Sequence, residues 1–246
     1  VATPLFRAGA WVVLVSSLLA ALIAPVLGQW AVLQFEHDFI VFAYTLGLAR
    51  IVLMLSAMDV GSAFEGMGAA REASFTSFIE PALFFLLGGL GIATGQTSFA
   101  DLVGRLHATS AHAWLVLPLV AVLFVLLQAE AARVPVDDPL THLELTMIHE
   151  VMILDHSGPE LAAMQYGSAL KMTIYAGLIA ALVNPFDPRS ELWPSVAVSL
   201  AVMACVAVAV GWAWAPVRAR DCSGATRPHG RPHWQIGGDH RRQLRH

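Results

Sequence analysis

Charge is what this sequence has least of. Of its 246 residues only 13% are Asp, Glu, Lys or Arg and 57% are hydrophobic, whereas soluble domains average about 25% charged. A chain with so little polar surface cannot cover a core toward water on every side, so its solvent over much of its surface is lipid. Cysteine is nearly absent as well. Cys205 lies in an apolar run and Cys222 in a polar stretch, which excludes a disulfide framework, and two scattered thiols hold no iron–sulfur cluster. The sequence shows no fixed-period repeat, no low-complexity tract and no secretory leader pattern. Gly66-x-Gly68 is not a dinucleotide fingerprint, because Arg71 stands where the third glycine belongs and no strand precedes it.

Long apolar runs are what the sequence has in abundance. A helix needs roughly 20 apolar residues to cross a hydrocarbon layer about 30 Å thick. Six stretches meet that length: 9–28, 39–58, 75–95, 113–129, 163–183 and 192–212. Lipid offers no partner for an unpaired backbone group, and the runs lack the alternation of a membrane barrel. The expectation is an all-α, polytopic integral membrane protein with about six transmembrane helices. The spacing Gly91-x-x-x-Gly95 is read as close helix packing.

The spans are joined by short connections except at 59–74 and 130–162, where acidic residues gather. Six spans put both termini on one side, together with Arg7, Arg71 and Arg133. The positive-inside rule then places the termini and both acidic loops in the cytoplasm. The expected location is the cell's inner (plasma) membrane, crossed several times. The formal net charge of −4 conceals a division: residues 1–217 carry 7 cations against 16 acids, net −9, and residues 218–246 carry 7 arginines against 2 aspartates, net +5. The body reads as a transmembrane domain. The segment 218–246 reads as a basic disordered tail, frameshifted or non-native, and the chain as an incomplete protein.

Charges that persist inside apolar runs call for a reason. Arg50 either snorkels to the headgroups or faces the interior, and these two readings are evenly balanced. Lys171, near the middle of its run, faces a protein or water-lined interior. Glu80 precedes Pro81, which removes a backbone hydrogen bond beside the carboxyl and makes Glu80 a candidate proton carrier.

In the long loop, Asp138-Pro139 and the capping box Thr141-x-x-Glu144 predict an amphipathic helix over 139–154. His142, His149 and His156 recur every seven residues, about 10 Å apart on a helix, too far to share a metal ion. They are expected to be exposed or hydrogen-bonded, and no metal site is assigned. His149-Glu150 is followed by Ile153 where a zinc-protease motif needs histidine. Glu130, Asp137, Glu144, Glu150 and Asp155 form a series of carboxyls able to hold protons at different affinities beside Arg71, Arg133 and Lys171. Asp138 and Glu160 read as solvated surface.

Several of these blocks together resemble a family: the membrane subunit shared by respiratory complex I, where it is called subunit 1, and membrane-bound nickel-iron hydrogenases. Gly68-Ala-Ala-Arg71-Glu72-Ala is similar to that family's Gly-x-x-Arg-x-Ala, and Phe78-Ile-Glu80 to its glutamate at the membrane. Ala129-Glu130-Ala-Ala-Arg133-Val-Pro135-Val-Asp137 resembles Ala-Glu-Thr-Asn-Arg-x-Pro-Phe-Asp. Glu144-Leu145 and Asp155-His-Ser157-Gly158 resemble the family's Glu-Leu and Glu-Tyr-Ser-Gly. The run from Asp138 to Glu150, with Lys171, is similar to the formate hydrogenlyase and hydrogenase-4 branch. Family members usually have eight spans, and the first and last have no counterpart here.

The resemblance implies a non-catalytic subunit that anchors a peripheral redox arm and couples electron transfer to proton or sodium movement. Glu80, Glu130, Asp137, Glu144, Glu150, Asp155 and Lys171 would carry protons, with Arg71, Glu72 and Arg133 tuning charge and docking. It implies partners: hydrogenase large and small subunits, iron–sulfur subunits, antiporter-like membrane subunits and the bilayer, without nucleic acid. The nickel-iron centre and iron–sulfur clusters would sit on those partners, with no cofactor bound by this chain. Whether quinone is used stays open. The alternatives are a quinone-site subunit of an NADH-quinone oxidoreductase and an autonomous ion channel or transporter.

Overall fold

Apolar residues fill the runs so densely that the backbone can satisfy itself only by coiling, and in the computed structural model of the chain every regular element among the described residues is a helix. It describes residues 4–26, 31–108, 112–131, 148–184, 186 and 191–224. The helices are α1 (Pro4–Ile23), α2 (Asp38–Asp59), α3 (Ala63–Thr94), α4 (Phe99–Ala108), α5 (His112–Glu130), α6 (His149–Met152), α7 (Pro159–Val183) and α8 (Leu192–Gly224). Five of them, α1, α2, α3, α7 and α8, are long and apolar enough to cross a membrane, and α5 contributes a shorter apolar stretch, Val116–Glu130. Five of the six expected spans thus have a helix of spanning length, and the sixth, 113–129, corresponds to the shorter apolar helix.

α3 departs from the sequence reading. The segment 59–74, expected as a connection, is helical from Ala63 onward. Its Ala, Glu, Met and Arg residues are strong helix formers, and only Val60-Gly61-Ser62 interrupts the backbone after α2. At 1.5 Å per residue α3 is roughly 48 Å long, well beyond the thickness of a hydrocarbon layer. Of the helix expected over 139–154, residues 139–147 lie outside the described residues, and α6 keeps a single turn. α8 continues to Gly224 and so takes in the first residues of the segment read as a tail.

α7 is the central helix, packed on α1, α5 and α8 with α4 across one end. Its apolar residues meet Phe42 and Leu46 of α2 and Leu123 and Leu127 of α5 in one large core. A smaller core surrounds α6, where Ile148 and Met152 pack on Ala10, Leu53, Ala69 and Met164. Asp38, wholly buried, caps α4 from another helix: its Oδ1 accepts the Phe99 N–H at 2.7 Å and its Oδ2 the Ser98 hydroxyl at 3.2 Å. That capping fixes the near end of α2 to the start of α4. Large apolar side chains such as Phe85, Ile92 and Trp193 point outward, as helices facing lipid or membrane partners require.

The tightest helix approach is at Gly177 of α7. A Cβ there would stand 2.5 Å from Val26 Cγ1 and 3.0 Å from the Val26 Cα and carbonyl oxygen, so a side chain at 177 must push the segment after α1 away. Gly177→Ala is therefore expected to destabilise the protein by about 1–3 kcal/mol, read as a lower melting temperature in detergent. An unchanged melting temperature would contradict this packing.

Candidate functional site

Four helices bring one charged side chain each together, three of them buried and the fourth, Glu72, half-buried at the margin. Arg50 comes from α2, Glu72 from α3, Glu130 from the last residue of α5 and Lys171 from α7. Lys171 is the only lysine in the sequence. Glu130 is the hub. Its Oε2 pairs with Arg50 Nη2, and its Oε1 lies 3.1 Å from Lys171 Nζ. Glu72 Oε1 stands 3.7 Å from Arg50 Nε. The Glu130 side chain is 1% exposed and that of Arg50 5%, so water screens neither, and each needs the other.

With two cations and two carboxylates, the cluster is neutral when all four groups are charged. Moving one proton onto either carboxylate leaves a surplus positive charge in a low-dielectric site, and Coulomb repulsion then drives a second proton away. The same four helices carry further polar atoms without partners: Arg50 Nη1, Gln128 Oε1, Thr76 Oγ1 and the Tyr175 hydroxyl are buried and make no hydrogen bond among the described residues. Tyr175 lies one turn beyond Lys171 on α7.

Glu80 joins the edge of the cluster. Its carboxylate lies over Gly47 of α2, so close that a Cβ there would stand 3.0 Å from Oε1. A side chain at 47 would press on the carboxyl and make it shift by a few tenths of an ångström. Gly47 is one turn from Arg50 on α2, and no ion pair joins Glu80 to the four charges among the described residues.

Not every sequence candidate converges here. Glu72, Glu130 and Lys171 meet, and Glu80 stands beside them. Glu150 and Asp155 lie at the exposed α6 turn, and Arg71 turns aside to the Met67 sulfur at 3.2 Å. Asp137, Glu144 and Arg133 lie outside the described residues.

The structure decides between the two readings of Arg50. It is enclosed rather than snorkelled, because Glu130 reaches it from a helix far away in sequence. A second buried charge, Glu65, is hidden in what reads as a loop. Its carboxyl is 2% exposed.

The α1–α7 junction corrects two further expectations. His156 is neither exposed nor hydrogen-bonded: its ring stacks on Phe6 with centroids 3.8 Å apart and planes 3° from parallel, and neither ring nitrogen has a hydrogen-bond partner among the described residues. The α1–α7 contact encloses it. Glu160 is not free surface. Its Oε1 accepts from Arg7 Nε–H at 2.9 Å, and its Oε2 lies 3.8 Å from His156 Nδ1.

Burial holds the His156 imidazole below the ordinary histidine range, against the opposing pull of the Glu160 and Asp155 carboxylates. The folded chain therefore binds fewer protons than the unfolded one once pH falls through the ordinary histidine value of about 6.5. Stability is complete above that value and declines below it. His156→Phe should flatten this decline in melting temperature between about pH 8 and pH 5. A slope equal to that of the parent would assign the titration to another group.

The central cluster has its own energetic signature. Glu130→Gln strands two buried cations and should destabilise the protein by about 3–5 kcal/mol. Adding Lys171→Met removes one of them, so the double variant should lose much less than the sum of the single losses, measured by thermal unfolding in detergent. Additive losses would show that the two groups do not interact.

Comparison with known proteins agrees with this architecture. The profile of the NADH dehydrogenase family matches residues 1–223. Hydrogenase-4 component C of Escherichia coli (strain K12) is 32% identical over 193 residues, covering 76% of this chain and 59% of that protein. Formate hydrogenlyase subunit 4 of the same organism is 26% identical over 208 residues, covering 84% and 66%. The NADH-quinone oxidoreductase H subunit of Rubrobacter xylanophilus is 27% identical over 191 residues, covering 70% and 56%. The chain thus spans less than two thirds of the length of each of these relatives. Among solved structures, a chain of the membrane-bound sulfane sulfur reductase, an archaeal respiratory membrane complex, superposes with a TM-score of 0.60 at 17% identity over 87% of this chain and 76% of that one. An all-helical bundle of apolar spans with acids and bases paired across its helices, matched by the family profile over nearly its whole length, belongs to the NADH dehydrogenase family of membrane subunits.

Proposed function

We propose that this chain is the membrane subunit of a hydrogenase-type complex of the formate hydrogenlyase class, anchoring the peripheral redox arm and coupling its electron transfer to proton or sodium translocation. The observation that carries the reading is the neutral, buried cluster of Arg50, Glu72, Glu130 and Lys171. A passive anchor has no use for three buried ionisable groups and a half-buried fourth on four helices, since well-packed apolar residues would serve stability as well or better. A coupling device needs such groups, because adding or removing one charge shifts the protonation of the others.

Sequence similarity to hydrogenase-4 component C and formate hydrogenlyase subunit 4 favours the hydrogenase branch. In this reading the partners are the hydrogenase large and small subunits, iron–sulfur subunits and antiporter-like membrane subunits, and they carry the nickel-iron centre and the clusters. This chain's cysteines do not fit such a group: Cys205 is exposed on α8, and among the described residues no three His, Cys, Asp or Glu converge as metal ligands. The termini and the acidic ends of α3, α5 and α7 face the cytoplasm, where Glu80, Glu130 and Lys171 take up and release the transported charge. Glu150, Asp155, Asp137 and Glu144 feed them, and Arg71, Glu72 and Arg133 adjust their charge.

One observation favours a second reading. Similarity to the H subunit of an NADH-quinone oxidoreductase extends over 70% of the chain, so a quinone-site role within the same family is the rival. Quinone-dependent electron transfer by the purified complex, lost on changing Arg133 or Asp137, would establish it.

The coupling reading is tested in inverted membrane vesicles carrying the complete complex. With reduced viologen as electron donor, Glu130→Gln is expected to lower the number of ions moved per hydrogen evolved while the assembled complex still evolves hydrogen. An unchanged ratio in both Glu130→Gln and Lys171→Met would overturn the proposal.

A further inference from the structure

Glu65 is the buried acid that the coupling site leaves unexplained. It lies in the first turn of α3, 2% exposed, and neither carboxylate oxygen has a hydrogen-bond partner of good geometry among the described residues. The Asp155 backbone amide lies beside it, and the negative charge of the Asp155 side chain acts on it through space. Asp155 itself is exposed. A buried acid, with no cation paired to it among the described residues, thus lies near the backbone of a second acid that is open to solvent.

Position on the helix connects this pair to the central cluster. Glu65 and Glu72 are seven residues apart, two turns and about 10 Å along one face of α3. Ala69, between them on that face, is buried against Ile148 and Met152 of the α6 turn. Glu72 in turn faces Arg50. Thr76 and Glu80 continue the same face toward the middle of the bundle, each with a buried side-chain oxygen that lacks a partner among the described residues.

Keeping a lone carboxylate ionised in a low-dielectric site is costly, and a proton removes that cost. If burial of Glu65 served packing alone, an apolar residue would fill the space more cheaply.

We propose that Glu65 is the proton-loading carboxyl of this subunit, taking a proton from exposed Asp155 and passing it inward along α3 to Glu72. The inference rests on the coupling reading above. In the loading step the Asp155 carboxylic acid gives its proton to a Glu65 carboxylate oxygen, and solvent water reprotonates Asp155. In the second step the Glu65 acid gives the proton to Glu72, directly after a side-chain swing or through intervening water, and Glu65 returns to the carboxylate. No oxidant or further reactant takes part.

Two measurements on the complete complex test this. The first is infrared difference spectroscopy across a pH titration, which reads the protonated carboxyl stretch without depending on coupling. Glu65→Gln should remove one titrating acid band, and Glu65→Asp should keep a band with a shifted midpoint. The second is proton movement into inverted vesicles with reduced viologen as donor. Here Glu65→Gln should abolish proton movement per hydrogen evolved, Glu65→Asp should slow it and shift its pH profile, and Asp155→Asn should slow it because water loads Glu65 less well than a fixed acid.

Retention of every acid band in Glu65→Gln would overturn the proposal, since Glu65 would then be an ionised, structurally paired group. Loss of the band with full proton movement, while Glu130→Gln abolishes it, would also overturn it and leave the coupling reading standing. Full proton movement in both Glu65→Gln and Glu130→Gln would instead overturn the coupling reading. Should Glu65→Gln fail to assemble, Glu65→Asp and Asp155→Asn decide: unchanged pH profiles in both would reject the loading role.

Discussion

The ion pairs of Glu130 with Arg50 and Lys171 set the terms for the rest of the bundle. A buried arginine or lysine without a counter-ion is costly enough to unfold a marginally stable protein. Glu130 therefore fixes the end of α5 against α2 and α7 at one depth. Once those three helices are registered, the large apolar core around Leu46, Leu123 and Ile174 can close on one side. α3 then contributes Glu72 from the other side, which makes the cluster neutral. The same contact that orders the helices makes their arrangement sensitive to a single proton, so stability and the proposed coupling have one physical origin.

Around that hub the bundle is uneven. α7 is enclosed on several sides, while α8 and the outer faces of α3 and α5 present bulky apolar side chains. Apolar packing alone is nearly indifferent to which helix neighbours which in a lipid solvent, because lipid tails match an apolar side chain as well as another helix does. Specific features break that indifference. Asp38 caps α4, Gly177 admits the segment at Val26, Gly47 accommodates Glu80, and His156 stacks on Phe6. Each is a polar or steric contact between segments distant in sequence.

How much is legible beforehand follows from the range of each interaction. The spans are legible because hydropathy is a sum over neighbouring residues, and α1, α2, α5, α7 and α8 fall close to the expected stretches. The start of α3 is less legible. Its residues 63–74 are polar enough to resemble a loop, yet their helix propensity and the apolar helix that follows carry the coil backward to Ala63. Among site residues, Glu130 and Lys171 announce themselves as charges in or beside apolar runs. Arg50 can be read two ways, since a long side chain near a span end has both snorkelling and pairing open to it. Glu65 and His156 give no signal, because their burial is produced by the α6 turn and by α1, which approach from elsewhere in the chain.

The sequence by itself determined that this chain lives in lipid, that it is helical, and that acids concentrate near the ends of α3 and α5. Those properties depend on composition and on contacts within a few residues. Only the tertiary structure decided which acid meets which base, that Glu72 joins Arg50 while Arg71 turns aside, and that Glu65 is enclosed while Asp155 stays open. The reason is physical. Charge pairing and burial are set by distances across helices, and the residues that establish those distances are separated by tens of positions, with no periodic pattern that records which helices will touch.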